Sequence, residues 1–416
     1  MTDTLPRLSS LDDVVTSGMC IGCGLCVSLG GQGAVQMTMT DEGRLRPRSI
    51  GSIEPDTLST IAAVCPGTAI IGLADNLRTP DTVDDVVWGP HLSVDRAHAA
   101  EPDVRFMAAT GGVLTALALH LLETGTVQLI AHVAPDPNAP MRSVAHISRN
   151  RADVLAASGS RYGPTAPLTH IVDLLDAGER FAFVGKPCDV TALRNLARID
   201  ARVDDLCHVM LTLVCGGASE LGKSTDVLAD LGIDEDELSL FRYRGFGNPG
   251  RTRIETKDGR AEELTYNDMW EEESTWRLQY RCKVCPDAIG ETADVVASDL
   301  WPGGGPTGED AGFNGMITRT AAGAALVAAA IESGHLTVDQ GLTARDLDVA
   351  QPHQVRKKRA VADRFDALAA AGRLVPQVTG LRIRTLAEQR SEAERAEERQ
   401  ATTQRIAAGQ FTEPVA

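Results

Sequence analysis

The stretch Cys20-Ile21-Gly22-Cys23-Gly24-Leu25-Cys26, answered far downstream by Cys65-Pro66, decides how the first part of this chain folds. Three thiols, each three residues after the last, wrap one corner of a cubane, and a remote Cys-Pro closes the site. That is the ligand pattern of a ferredoxin-type [4Fe-4S] cluster. Gly30 stands where a two-cluster ferredoxin carries a nearby fourth cysteine, so one cluster is expected here, on Cys20, Cys23, Cys26 and Cys65. A structural zinc ion also accepts four thiolates. Zinc sites usually pair two C-x2-C knuckles, however, and a Pro after the last Cys is a ferredoxin habit, so iron–sulfur is preferred.

Around this motif lies a chain of 416 residues, 43% hydrophobic and 23% charged, long enough for two or three domains with a substantial core. The formal net charge of −17 opposes nucleic-acid binding, which needs a basic face. No run of about 18 apolar residues is present, so no membrane span is expected. Met1 to Ser17 holds three Asp and one Arg, which does not fit a signal peptide. Nine cysteines in ligand-like groups suit a reducing cytoplasm, the expected location.

Residues 1–75 read as a ferredoxin-like iron–sulfur segment and 76–104, rich in Asp, Pro and Thr, as a linker. From 105 to 350 the pattern changes. Val113, Leu114, Leu117, Leu121 and Leu122 recur at helical spacing, and the apolar runs 127–133, 181–185 and 209–215 read as strands. Helical stretches at 153–157, 169–177, 189–197 and 220–231 alternate with them, which predicts an α/β core. Residues 351–416 read as a helical region with a charged tail; within it 387–408 is an exposed helix or frayed tail with no chemistry assigned.

Cys282-Lys283-Val284-Cys285-Pro286 is a second C-x2-C, but two thiolates cannot complete a cubane. Cys188 follows one expected strand and Cys215 ends another, and neighbouring parallel strands deliver their ends to one edge. A second [4Fe-4S] cluster on Cys188, Cys215, Cys282 and Cys285 is therefore expected; the alternative is a redox dithiol with unrelated structural cysteines. Cys207, ahead of an apolar run, reads as buried filler.

Three further segments are suited to a phosphorylated cofactor. Thr110-Gly111-Gly112-Val113 opens a helix, whose amide N–H groups and dipole attract an anion. A Cβ at Gly112 is expected to occupy the space of phosphate oxygens. Ser158-Gly159-Ser160-Arg161-Tyr162-Gly163 offers hydroxyls, a cation and a ring, and Lys186 sets an ammonium beside Cys188. The usual G-x-G-x-x-G fingerprint is absent, so no ordinary dinucleotide site is indicated.

Taken in order, C-x2-C-G-x-C, T-G-G-V, S-G-S-R-Y-G-P, G-K-P-C-D-V, V-C-G-G, Y-R-G-F-G-N-P-G, R-C-K-V-C-P-D and A-D-V-V-A-S-D resemble the beta-subunit family of coenzyme F420 hydrogenases and dehydrogenases, from Cys20 to about residue 340. The resemblance implies FAD coupled to [4Fe-4S] clusters. It also brings in ferredoxin-dependent chlorophyllide and tetrapyrrole reductases as relatives. Carried over residue by residue, it implies FAD near Thr110 to Val113, Ser158 to Tyr162 and Lys186, and a cluster at Cys188, Cys215, Cys282 and Cys285.

The expected function is an iron–sulfur flavoprotein oxidoreductase. It would pass electrons between ferredoxin, or a partner redox subunit, and a small-molecule hydride acceptor at the flavin, a deazaflavin or another conjugated substrate. The rival is a non-catalytic electron-transfer subunit of a larger complex, and the chain could also assemble as a homo-oligomer. For substrate contact, Tyr243, Arg244, Phe246, Trp270 and Trp276 offer rings and a cation, with ordinary core aromatics as the alternative. No catalytic acid or base is assigned; Asp287, Asp294 and Asp299 read as caps or turns by default.

Overall fold

A computed structural model of the protein describes residues 5–301 and 311–414; positions 302–310 of the expected core lie outside the described residues. Eight strands form one mixed sheet: β1 (Ser93–Ala99), β2 (Leu129–Asp136), β3 (Ala139–Ser148), β4 (Phe181–Gly185), β5 (Cys207–Leu213), β6 (Val295–Asp299), β7 (Asn314–Thr318) and β8 (Leu336–Gly341). Their spatial order is β8-β1-β7-β6-β5-β4-β2-β3. The central β6, β5, β4 and β2 run parallel, and antiparallel strands flank them on both sides.

Alternation along the strands feeds two cores. Phe181, Phe183, Met210 and Val296 face one side, where helix α2 (Pro187–Ala197) brings Val190, Leu193 and Leu196. Ala182, Val209, Leu211 and Val295 face the other, under Leu117 and Leu121 of helix α1 (Val113–Glu123). Burial on both faces is why these strands read as continuous apolar runs. Each such Phe or Leu withdrawn from water contributes about 2–3 kcal/mol. The expected α/β core is thus present, but strands β3, β6 and β7 are absent from the sequence-based pattern. So is a three-stranded sheet of Leu238–Arg242, Thr252–Thr256 and Ala261–Leu264.

Two expectations at the chain's outer parts need correction. The stretch 76–104, read as a linker, supplies β1, which lies inside the large sheet between β8 and β7. The C-terminal region is no frayed tail: Phe411 and Glu413 are buried beyond helix Glu392–Ala407. It shares a core with the N-terminal part, where Val14, Val15, Met19 and Ile70 meet Val361, Phe365, Leu368 and Phe411. Strand Gln377–Thr379 pairs in parallel with Ala69–Ile71. Apolar burial explains the correction, because those Phe and Leu side chains have no other cover from water.

Buried charge ties this outer part to the core. The carboxylate of Glu291 accepts from Lys358 Nζ and Arg382 Nη2, and both Glu291 and Lys358 are buried. Removing the shared anion strands two cations, so Glu291→Ala should lower stability by about 3–5 kcal/mol in equilibrium denaturation. A loss below about 1 kcal/mol would mean that the pair is solvated.

On β2, the His132 ring hydrogen-bonds Ser148 Oγ through Nε2 at 2.7 Å and meets the His146 ring at 5.5 Å between centroids. Burial, then His146, pushes its pKa from 6.5 down to about 4. Folding favours the neutral ring, so its contribution is full above pH 6.5 and is lost as pH falls towards 4, by up to about 3 kcal/mol. Unfolding measured at pH 7 and pH 5 should show this loss, and His132→Gln should flatten it.

Candidate functional site

Parallel pairing sends the ends of β4, β5 and β6 to one edge of the sheet, and each end carries a chemically capable residue. Lys186 and Cys188 follow β4, Cys215 follows β5 by two residues, and Asp299 closes β6. Pro187 at the first turn of α2 turns the chain back over the sheet with its φ preset. The short helix Tyr280–Lys283 then brings Cys282, and Cys285 after it, to the same place. Cys188, Cys215, Cys282 and Cys285 together line one small cavity, with Lys186, Arg281 and Lys357 around it.

Burial governs these thiols. It pushes Cys188 well above the ordinary range, with Asp189 adding to the effect. It raises Cys215 to about 12, helped by Cys282. The cations oppose this: Lys186 favours the thiolate at Cys188, Lys357 at Cys215, and Arg281 and Lys357 at Cys285. The Ala218 amide donates to Cys282 Sγ at 3.3 Å. Lys186 Nζ donates to Asp189 Oδ2 at 2.7 Å and Thr165 Oγ1 at 2.6 Å. Burial disfavours its charge, yet Asp189 holds its pKa above the usual lysine range.

The N-terminal four also converge. Gly22 and Gly24, at φ 72° and 84°, let the backbone coil tightly between Cys20, Cys23 and Cys26, a conformation that a Cβ would oppose. A side chain at Gly22 would also come within 2.6 Å of the Leu45 carbonyl. Burial raises Cys23 well above its ordinary range, followed by repulsion from Cys65 and Cys26. Cys26 is raised by burial and then by Cys20 and Cys65. Amides of Gly22 and Gly67 donate to Cys20 Sγ and Cys65 Sγ, both at 3.4 Å. Ile21 lines the other set's cavity, so the two sets are neighbours. Cys207 is apart from both, buried at the start of β5 with its thiol pushed up by burial.

The glycine segments meet at Arg244. Its Nη1 donates to Asp299 Oδ2 at 3.0 Å and Tyr162 Oη at 3.2 Å, and its Nη2 to Thr110 Oγ1 at 2.9 Å and Asp299 Oδ1 at 3.1 Å. The Thr110 hydroxyl itself donates to Asp299. Burial opposes the guanidinium charge, but Asp299 holds its pKa above the ordinary arginine range. Tyr266 and Trp301 rings lie 5.4 Å and 5.3 Å from it, and Tyr162 stacks at 4.5 Å on Trp270. Of the other proposed substrate residues, Tyr243 is core, its hydroxyl paired with Ser224 and Met141, while Phe246 is 40% exposed.

Two details change the expected phosphate site. The amides of Gly111 and Val113 donate to Asn314 Oδ1, at 3.1 Å and 3.2 Å, rather than facing open space. A Cβ on Gly112 would press on Ala108 Cβ and the Val104 carbonyl, both at 3.2 Å, not on a ligand. Glycine is required there by φ 73° and by packing. Within the second loop, Arg161 is structural: it donates to Ser143 and to the carbonyls of Phe241, Pro140 and Arg142. Gly159 lies close under the Arg244 carbonyl, Ser158 Oγ turns back to Leu155, and Ser160 is half-buried beside them. A separate cleft of about 330 Å³ opens beside Tyr162, between Met39, Leu45, Met141 and Thr169.

Asp299, Asn314 and the role of Arg244 escaped the sequence-based assignment, since nothing in their spacing pairs them with Thr110 or Tyr162. Arg244→Lys keeps a charge but cannot reach Asp299, Thr110 and Tyr162 at once. It should cost about 1–3 kcal/mol of stability in denaturant unfolding, and Arg244→Ala about 3–5 kcal/mol, because Asp299 then loses its cation. Near-wild-type unfolding of the alanine variant would remove Arg244 from its central place.

Against known proteins, the family description "Coenzyme F420 hydrogenase/dehydrogenase, beta subunit N-term" matches residues 94–173, and its companion for the carboxy-terminal part of the same beta subunit matches 178–342. The coenzyme F420 hydrogenase subunit beta of Methanococcus voltae is 24% identical over 278 residues, 65% of this chain and 92% of that relative. The F420-dependent formate dehydrogenase 1 subunit beta of Methanococcus maripaludis is 25% identical over 240 residues, 57% of this chain and 59% of the relative. The coenzyme F420-dependent sulfite reductase of Methanocaldococcus jannaschii is 24% identical over 331 residues, 75% of this chain but only 46% of the relative. The F420-reducing [NiFe] hydrogenase complex from Methanosarcina barkeri contains a chain of similar fold, with TM-score 0.53 and 18% identity over 68% of this chain and 96% of that one. With its mixed sheet and both family segments in order, the chain belongs to the coenzyme F420 hydrogenase/dehydrogenase beta-subunit family of oxidoreductases.

Proposed function

We propose that the chain is an FAD- and [4Fe-4S]-dependent oxidoreductase that exchanges electrons with ferredoxin or a partner redox subunit and hydride with a small-molecule acceptor, a deazaflavin or other conjugated substrate. The observation that carries this proposal is the convergence of Cys188, Cys215, Cys282 and Cys285 from three separate stretches on one cavity. That cavity lies at the sheet edge that also presents Asp299. Among the described residues, no three His, Cys, Asp or Glu side chains are gathered tightly enough for a single metal ion. A tetrahedral zinc site needs sulfurs about 3.8 Å apart, given its 2.3 Å bonds. A cubane, with irons and sulfides between its thiolates, spreads them wider, so the donor sets suit clusters better.

Clusters would supply one-electron transfer and FAD the change to hydride chemistry. Cys20, Cys23, Cys26 and Cys65 would hold one cluster in a ferredoxin-like segment of 1–75, and the four core cysteines the other. Lys186, Lys357 and amide N–H donors favour thiolate sulfur there, while burial excludes water. For the flavin, Thr110, the Ser158-Gly159-Ser160 turn and Tyr162 offer a face next to Arg244, and Lys186 a fixed cation. An anion at Gly111, Gly112 and Val113 requires Asn314 to swing aside.

The relatives are named as hydrogenase and formate dehydrogenase subunits, which favours a second reading, an electron-transfer subunit inactive without its partner. Turnover of a reduced deazaflavin with a one-electron acceptor by the isolated chain would reject that alternative. Anaerobically purified protein should contain about eight iron, eight sulfide and releasable FAD. Cys282→Ser should lose about half the iron and Cys207→Ser none. Near four iron in wild type would dispose of one cluster, and stoichiometric zinc of both.

A further inference from the structure

Arg281 lies between the two cysteine sets without a carboxylate to answer it. It is 3% exposed and lines the cavity of Cys188, Cys215, Cys282 and Cys285. Its Nη2 donates to the Pro66 carbonyl at 3.1 Å, one residue past Cys65, and its Nη1 reaches the Val284 carbonyl at 3.4 Å. Its Nε has no hydrogen-bond partner among the described residues. A buried cation without an anion costs several kcal/mol. The anions that could answer it are sulfur: its charge favours the thiolate at both Cys65 and Cys285.

Arg46 stands in a similar place. It is 0% exposed, and its Nη2 donates to Gln279 at 3.0 Å, itself a wall of that cavity. Its charge reaches Cys20 in one set and Cys282 in the other. Unlike Arg281 it has a counter-anion, Glu413, which accepts from Nε at 2.5 Å and from Nη2 at 2.9 Å.

We propose that Arg281, together with Arg46, is the internal counter-cation shared by two iron–sulfur clusters, and that these two side chains set the clusters' reduction potentials. The proposal rests on the cluster reading above. Four thiolates around a cubane carry net negative charge, and reduction adds one more. A fixed cation therefore favours the reduced form and raises the potential, whereas a fixed anion lowers it. Moving one electron between the sites oxidises one and reduces the other, with Arg281 facing both.

EPR-monitored redox titration of the anaerobically purified full chain, with iron and sulfide assayed on the same samples, tests this. Arg281→Gln should lower both midpoint potentials, and Arg281→Lys should leave them near wild type. Arg46→Gln should lower, and Glu413→Gln should raise, the potential of at least one cluster. Packing alone would not produce shifts of opposite sign from the two partners of one ion pair. Unchanged potentials in an iron-replete Arg281→Gln variant overturn the proposal, as do shifts of equal sign in Arg46→Gln and Glu413→Gln. If Arg281→Gln loses its iron, the Arg46 and Glu413 variants decide. Wild-type protein without iron would remove the clusters and the proposal together, a failure that the iron assay tells apart from the others.

Discussion

Because β2, β4, β5 and β6 run in one direction, the chain leaves the sheet at the same edge each time it completes one of these strands. Helices must then return it to the opposite edge, as α2 does after Lys186. What the loops carry is thereby gathered without any long-range pairing of the loops themselves. Cys188 and Cys215 become neighbours because β4 and β5 are hydrogen-bonded partners, and Asp299 joins them because β6 is next in line. Two apolar cores hold that parallel stack from both faces, so the edge is as rigid as the sheet.

Much of this was legible in the sequence, for identifiable reasons. The Cys20 to Cys26 spacing is local and carries its own chemistry, and the glycines between the thiols match the positive φ that the turn adopts. The second set could be assembled because strand ends are visible as apolar runs followed by Lys-Pro-Cys or Cys-Gly-Gly. Arg244, Asp299 and Asn314 were not recoverable in the same way. Arg244 sits 134 residues from Thr110, and Asn314 sits 203 from Gly111, so no periodicity links them. The segment 76–104 misled for a different reason: its Asp- and Pro-rich start hid β1, whose alternating burial includes Val94, Ala97 and Ala99.

Polar satisfaction explains why a sequence pattern can name a binding segment and still misplace its reactive groups. A helix start with Thr and two Gly offers amide donors, but a folded protein seldom leaves such donors idle. Here Asn314, arriving on the antiparallel strand β7, takes two of them while donating to the Ser298 carbonyl at 2.9 Å. That strand lies outside the α/β alternation, so the amides look free whenever it is overlooked.

The family descriptions span 94–342, yet the first cysteine set, Arg46 and Glu413 all lie outside that span. The two outer parts of the chain meet through a common apolar core and through the Arg46–Glu413 pair. Their junction with the family core runs through Ile21, Gln279 and Arg281, beside the second set. Cysteine ligands alone would place two redox centres on one chain; it is the burial of arginine at this junction that makes them one electrostatic unit. A protein that spends two interior guanidinium groups there, at several kcal/mol each if unanswered, has its strongest reason to do so where negative charge gathers on both sides.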